Sequence, residues 1–205
     1  MKQDITSQKI IALQAEIVER AHNDAFFNEV EGDFLKAVAD NMHSNFNLWH
    51  IEDQARRTDL PDPEIVECKR KIDGENQKRN DYIEKIDEII ISELPDLEQA
   101  DAQKLPVNTE TPGSVIDRMG ISNLKIYHMR EQLSRENVSD EHIRKCEEKL
   151  HILEMQRKDL AAAFDQLMKD LFEQKKNLRV YRQFKMYNDP ELNPALFEND
   201  LDKGN

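Results

Sequence analysis

The residues of this chain that could do chemistry are polar groups set where helix periodicity asks for apolar ones. Leu35, Val38, Met42, Phe46 and Trp49 recur in steps of three or four, which is one face of a helix. The next positions on that face are Asp53 and Arg56, with His50 at its edge. Further on, Ile65, Ile72, Ile83, Ile86 and Ile90 share a heptad-spaced face with Asn76 and Arg79, and Asn80 and Asp87 lie beside it. A third set, Asp117, Arg118, Lys125 and His128, falls in a segment that is apolar nearly all round. Arg157 interrupts an otherwise apolar seam. Charge on a core-facing surface is costly unless it is paired or used.

Two uses are open. In the first, the polar groups converge on a pocket inside the bundle. His50, Asp53, Asp117 and His128 are then its acid–base candidates. Arg56, Arg79 and Arg118 form an anion clamp, and Asn76, Asn80, Asp87 and Lys125 complete the binding surface. Basic groups outnumber acidic ones in the set, and Arg holds phosphate or carboxylate with paired donors. The expected ligand is therefore a small anionic metabolite. The start of the fourth helix, with Thr109, Thr111, Gly113 and Ser114, adds backbone N–H groups and a positive dipole end. In the second use, the same residues form a hydrogen-bonded network that sets helix register, in a scaffold or homodimer. No metal ligands are assigned. Glu84 and Asp87 are spaced like the acidic pair of all-α nucleotide pyrophosphohydrolases. The third acid of that pattern is Arg56 here, and His50 with Asp53 is only one pair. Both cysteines sit on apolar seams, no Ser has a His nearby in sequence that would activate it, and the cofactor is unknown.

The elements that must position these groups are helical. Stripes and breaks predict five: 6–23, 33–57, 63–94, 111–134 and a long last helix after Ser139, running toward Asn177 if unbroken. Thr6 or Ser7, Asp62 and Thr111 are the expected N-caps, with Pro112 opening the fourth helix. The fourth helix is expected at the centre, because a helix apolar all round is buried. Cys146, Leu150, Leu153, Leu160, Phe164, Leu167 and Leu171 form a seam on the fifth. The fold expected is all-α, an antiparallel bundle, with residues 1–205 one domain and 188–205 a loop-rich tail. The loop from Pro95 to Glu110 is long for a compact domain. The basic aromatic stretch from Lys175 to Tyr187 is expected to dock on the acidic body, and Phe26 and Phe27 to fold onto the core.

Composition sets the outer bounds. The formal net charge is −13, from 29 Lys and Arg against 42 Asp and Glu. Such a surface repels a nucleic-acid backbone, so no nucleic-acid partner is expected. No apolar run approaches the roughly 18 residues of a membrane span, and Met1-Lys2-Gln3-Asp4 opens no signal peptide. A cytoplasmic location without membrane contact is expected. Cys68 and Cys146 lie on apolar stripes and read as buried thiols.

Five strings carry a likeness. They are 48–53 (LWHIED), 71–81 (KIDGENQKRND), 109–118 (TETPGSVIDR), 124–129 (LKIYHM) and 185–194 (KMYNDPELNP). In this order they resemble an uncharacterised bacterial family of helical proteins of about 200 residues, known only as a domain of unknown function. The resemblance spans the chain from Asn45 onward and implies no activity.

Overall fold

The computed structural model describes residues 5–23, 30–96, 103–184, 186 and 191–194. It contains five helices: α1 Ser7–His22, α2 Asp33–Ala55, α3 Asp62–Glu93, α4 Pro112–Leu133 and α5 Asp140–Phe172. No strand occurs among the described residues. The only β-type pairing there is an isolated bridge between Val107 and Asn177. The expected Phe26 and Phe27 contacts, residues 97–102 of the long loop and most of the tail lie outside the described residues.

Three of the helices begin where a side chain satisfies one of their first N–H groups. Thr6 accepts from the Lys9 N–H at 3.4 Å, Thr111 from Ser114 at 3.2 Å and Ser139 from His142 at 3.2 Å. Asp62 is not a cap. Pro61 holds that position and Asp62 is the first helical residue, because Pro63 at the second needs no N–H partner. The last helix stops at Phe172, short of Asn177. Gln174 takes a left-handed φ of 55°, and the Lys175 and Gln174 N–H groups bond Asp170 and Leu171 carbonyls at 2.8 and 3.1 Å. This pair of bonds is the Schellman ending. It turns the chain so that Asn177 pairs with Pro106 and Asn108.

Helix α4 is the axis of the bundle and packs against each of the other four. Ten of its residues are buried, Asp117 and Asn123 among them. α2 lies along α3, and α4 along α5, across connections too short for anything but hairpins. The main core gathers Ile10, Ile86, Ile90, Ile116, Met119, Phe164 and Met168; a second cluster holds Ile17, Val18, Met42 and Leu124, with Phe46, Trp49 and Tyr127 at its margin. The α5 seam is spent inside the bundle: Cys146, Phe164, Leu167 and Leu171 are buried and Leu150, Leu153 and Leu160 half-buried. Both thiols are buried and unbridged. Among the described residues, no helix is long and apolar enough to cross a membrane.

The basic stretch after α5 docks on α3. Leu178 enters the core, Arg182 pairs with Glu84 at 3.1 Å and with Glu88, and Glu84 also accepts the Gln183 N–H at 2.8 Å.

The α3–α4 crossing depends on Gly113. A Cβ there would stand 2.5 Å from the Ile83 carbonyl oxygen and 2.9 Å from an Asp87 oxygen. The first obstacle is backbone, which cannot swing away. Gly113→Ala should therefore destabilise the fold by about 1–3 kcal/mol, the usual cost of overpacking, although alanine is the better helix former. A urea midpoint no lower than wild type would show that the two helices separate at no cost.

Candidate functional site

The polar groups do not all meet. Most of them divide among three places, and the rest lie apart.

The first is a hub where α2, α3 and α4 touch. Asp117 is 3% exposed. Its carboxylate accepts from Arg79 Nε at 2.8 Å and from Arg79 Nη2, which is bidentate geometry. Asn41 and Asn45 donate to the same carboxylate at 3.1 and 2.8 Å. These bonds to Asp117 hold the Arg79 guanidinium above its usual pKa, against the opposing effect of burial. Both oxygens of Asp117 are thereby engaged by donors from α2 and α3. Asn41 and Asn45 were not singled out in the sequence, although they fall on a periodic face with Phe34, Val38 and Leu48, the signal that could have found them.

The hub floors a cleft of about 420 Å³ lined by Asn45, Trp49, Glu52, Asp53, Arg56, Asn76 and Arg79, with Leu48, Ile121 and Leu124. Arg79 Nη1 and the Asn76 amide make no hydrogen bond among the described residues. Asp53 and Arg56 are exposed at the rim, so the apolar stripe of α2 does not carry them into the core. They are not paired with each other either. Arg56 bonds Glu52 one turn earlier, at 2.9 Å. Asn80 is half-buried but outside the lining.

The second place is the start of α4. The anion there is the protein's own: Asp87, 2% exposed, accepts the Gly113 N–H at 2.7 Å, and Thr111 also bonds it. Burial pushes its carboxyl up to about 6 in spite of those bonds. Asp87 thus caps a helix rather than facing the cleft, and no open anion site is left at that terminus.

The third place lies on the far side of Trp49. His50 and His128 sit with His22 in an aromatic cluster. Trp49 stacks on His128 with ring centroids 4.7 Å apart, and Tyr127 stacks on His22 at 4.1 Å. Desolvation, with the His22 and His128 rings next in weight, holds His50 below the ordinary histidine pKa. His22 was not read from the sequence, since it falls just off the α1 stripe that ends at Ala21. One ring nitrogen from each of the three lies within 4.8 Å of the others, so this cluster is also where a metal ion could be held.

The remaining predicted residues face elsewhere. Arg118 pairs with Glu110 and shares a groove between α4 and α5 with Lys125. Arg157 donates to Asn123 at 2.7 Å, and Asn123 donates to the fully buried Gln14, a polar crossing of α1, α4 and α5.

Across this architecture, residues 35–180 match the model of a family described as a protein of unknown function, DUF4254. The chain belongs to that family. The matched span contains the hub, the whole cleft lining, Asp87 and two of the three clustered histidines; His22 precedes it. No curated protein and no solved structure matches the chain.

Proposed function

We propose that this is a cytoplasmic protein that binds a small metabolite carrying a carboxylate or phosphate in the cleft between α2, α3 and α4. The observation that supports this most is Arg79. Its guanidinium is oriented by two bonds to Asp117, yet one nitrogen beside the open cleft has no partner among the described residues. Such a donor loses little entropy on binding, because the fold has already placed it. Arg56 can join it. Its bond to Glu52 is an exposed pair on one helix, with side chains 67% and 40% accessible. Pairs of that kind are worth only about 0.3–0.5 kcal/mol, so a ligand anion displaces Glu52 cheaply. Asn76 supplies an unused amide, and Trp49 supplies an apolar wall. Of the acid–base candidates only Asp53 faces this cleft. The reading is therefore binding, with no reaction assigned.

The test is a thermal-shift panel of phosphate- and carboxylate-bearing metabolites, followed by calorimetry on wild type and on Arg56→Met with Asn76→Ala. The double variant should melt like wild type without ligand and bind at least about tenfold more weakly, a loss of about 1.4 kcal/mol. If no compound in the panel raises the melting temperature, or the variant binds equally well, the cleft is not an anion site.

A homodimer along α5 is the second reading. Its support is Ile152 and Met155, left 46% and 49% exposed after the seam is buried. A monomeric mass by light scattering ends that reading.

A further inference from the structure

His22 from the last turn of α1, His50 from α2 and His128 from α4 bring one ring nitrogen each to within 4.8 Å of one another. Their Nε2 atoms are buried, and none has a hydrogen-bond partner among the described residues. In His22 and His128 the opposite nitrogen is engaged. His22 Nδ1 faces the Val18 carbonyl oxygen at 2.7 Å, and His128 Nδ1 faces Glu131 Oε2 at 2.6 Å. A carbonyl or carboxylate oxygen accepts, so in the neutral form of both rings Nδ1 carries the proton and Nε2 the lone pair. That is the tautomer a metal ion requires. A carbonyl or carboxylate on the second nitrogen is the usual support for a metal-bound histidine. Ring packing alone does not account for buried lone pairs left without a donor, since buried polar atoms in folded proteins are nearly always bonded.

The neighbours fit the same reading. Tyr127 lies flat on His22 and Trp49 lies flat on His128, while Phe46 meets His22 and His50 edge-on at 4.8 and 4.5 Å. These rings limit how far each imidazole can turn and keep water from its nitrogen. Asp53 and Glu131 lie close enough to act on His50 through charge, which favours a cation there.

We propose that His22, His50 and His128 bind one divalent transition-metal ion of the zinc class through their Nε2 atoms. Imidazole suits zinc and its neighbours rather than magnesium or calcium, which prefer oxygen. Bonds of about 2.0–2.1 Å place tetrahedral ligand nitrogens about 3.4 Å apart, so the rings close inward by small rotations. Three neutral ligands leave the ion's charge uncompensated and one position open, the arrangement that takes water or an anionic group. Trp49 both stacks on His128 and lines the polar cleft, so the metal site and the cleft share a wall. The metal site stands without the cleft reading.

The experiment uses the full chain freed of metal by chelation and titrated with Co²⁺ and Zn²⁺. One equivalent of Co²⁺ should give the visible absorption of a tetrahedral site, and one equivalent of Zn²⁺ should displace it and raise the melting temperature. His22→Gln, His50→Gln and His128→Gln should each remove the signal while melting cooperatively without metal. His151→Gln, on the exposed surface of α5, should keep it, and so should Arg56→Met. Glu131→Gln should weaken the affinity by roughly 10–100-fold through its contact with His128. The assignment is overturned if no stoichiometric binding occurs, if the three cluster variants bind as wild type, or if His151→Gln removes the signal.

Discussion

Arg79→Met should cost the fold about 3–5 kcal/mol, the largest single-residue effect expected here. The cause is what the substitution leaves behind. Asp117 is almost fully buried and has one cationic partner, and its other donors are the neutral amides of Asn41 and Asn45. Without the guanidinium, a carboxylate is left in the centre of the bundle with its charge unmet. Methionine fills much of the same space, so a cavity is not the reason. The check is urea unfolding at neutral pH, with the double variant Arg79→Met, Asp117→Leu completing the cycle. The double variant should recover much of the loss, because removing both charges also removes the cost of burying them. A loss under 1 kcal/mol for Arg79→Met alone would mean that water reaches Asp117. The prediction also bears on the cleft. Arg79 cannot be used to probe ligand binding, because its loss unfolds what it helps to form. Arg56, at the rim, can.

The second large effect is a pH dependence at Asp87. Its folded pKa of about 6 lies above the ordinary 3.8, so between those values the folded state holds a proton that the unfolded chain has released. Stability falls with rising pH wherever the folded state binds more protons. The contribution of Asp87 is thus fully present below about pH 4 and is lost as pH rises through about 6. A shift of this size corresponds to a loss on the order of 3 kcal/mol across the window. Asp87→Asn keeps an oxygen for the Gly113 N–H and has no charge to bury. Relative to wild type it should gain stability steadily from pH 4 to 7, measured as the difference between the two urea midpoints at each pH. A flat difference would show that solvent already reaches the Asp87 carboxylate. Asp87→Ala should be worse than wild type at every pH, since it orphans the first turn of α4.

Much of this protein is legible from residue order alone. The five helices begin and end within a few residues of the positions that stripes, caps and prolines indicate, because those signals act within one or two turns. The central place of α4 also follows from sequence, since a helix apolar on all sides has nowhere else to go. The docking of Arg182 on Glu84 and Glu88 follows from charge complementarity.

The site is different. Asp53 and Arg56 continue the apolar face of α2 in register, but that face is covered only as far as its neighbours reach, and both residues emerge at the rim. Asp87 reads as a ligand-binding acid until α4 brings Gly113 against it. Asn41 and Asn45 share a helical face with Phe34, Val38 and Leu48, but nothing local says what they meet, and His22 falls just off its stripe. Periodicity fixes which side of a helix a residue occupies, because it is a property of one helix. Which residue it meets depends on how far, and at what height, two helices cross, and that is set by the packing of the whole bundle. Sequence therefore determined a five-helix protein with charge on its inner faces. Only the tertiary structure decided that Asp117 is neutralised by Arg79, that the cleft opens beside them, and that three histidines spaced far apart in the chain bring one ring nitrogen each together.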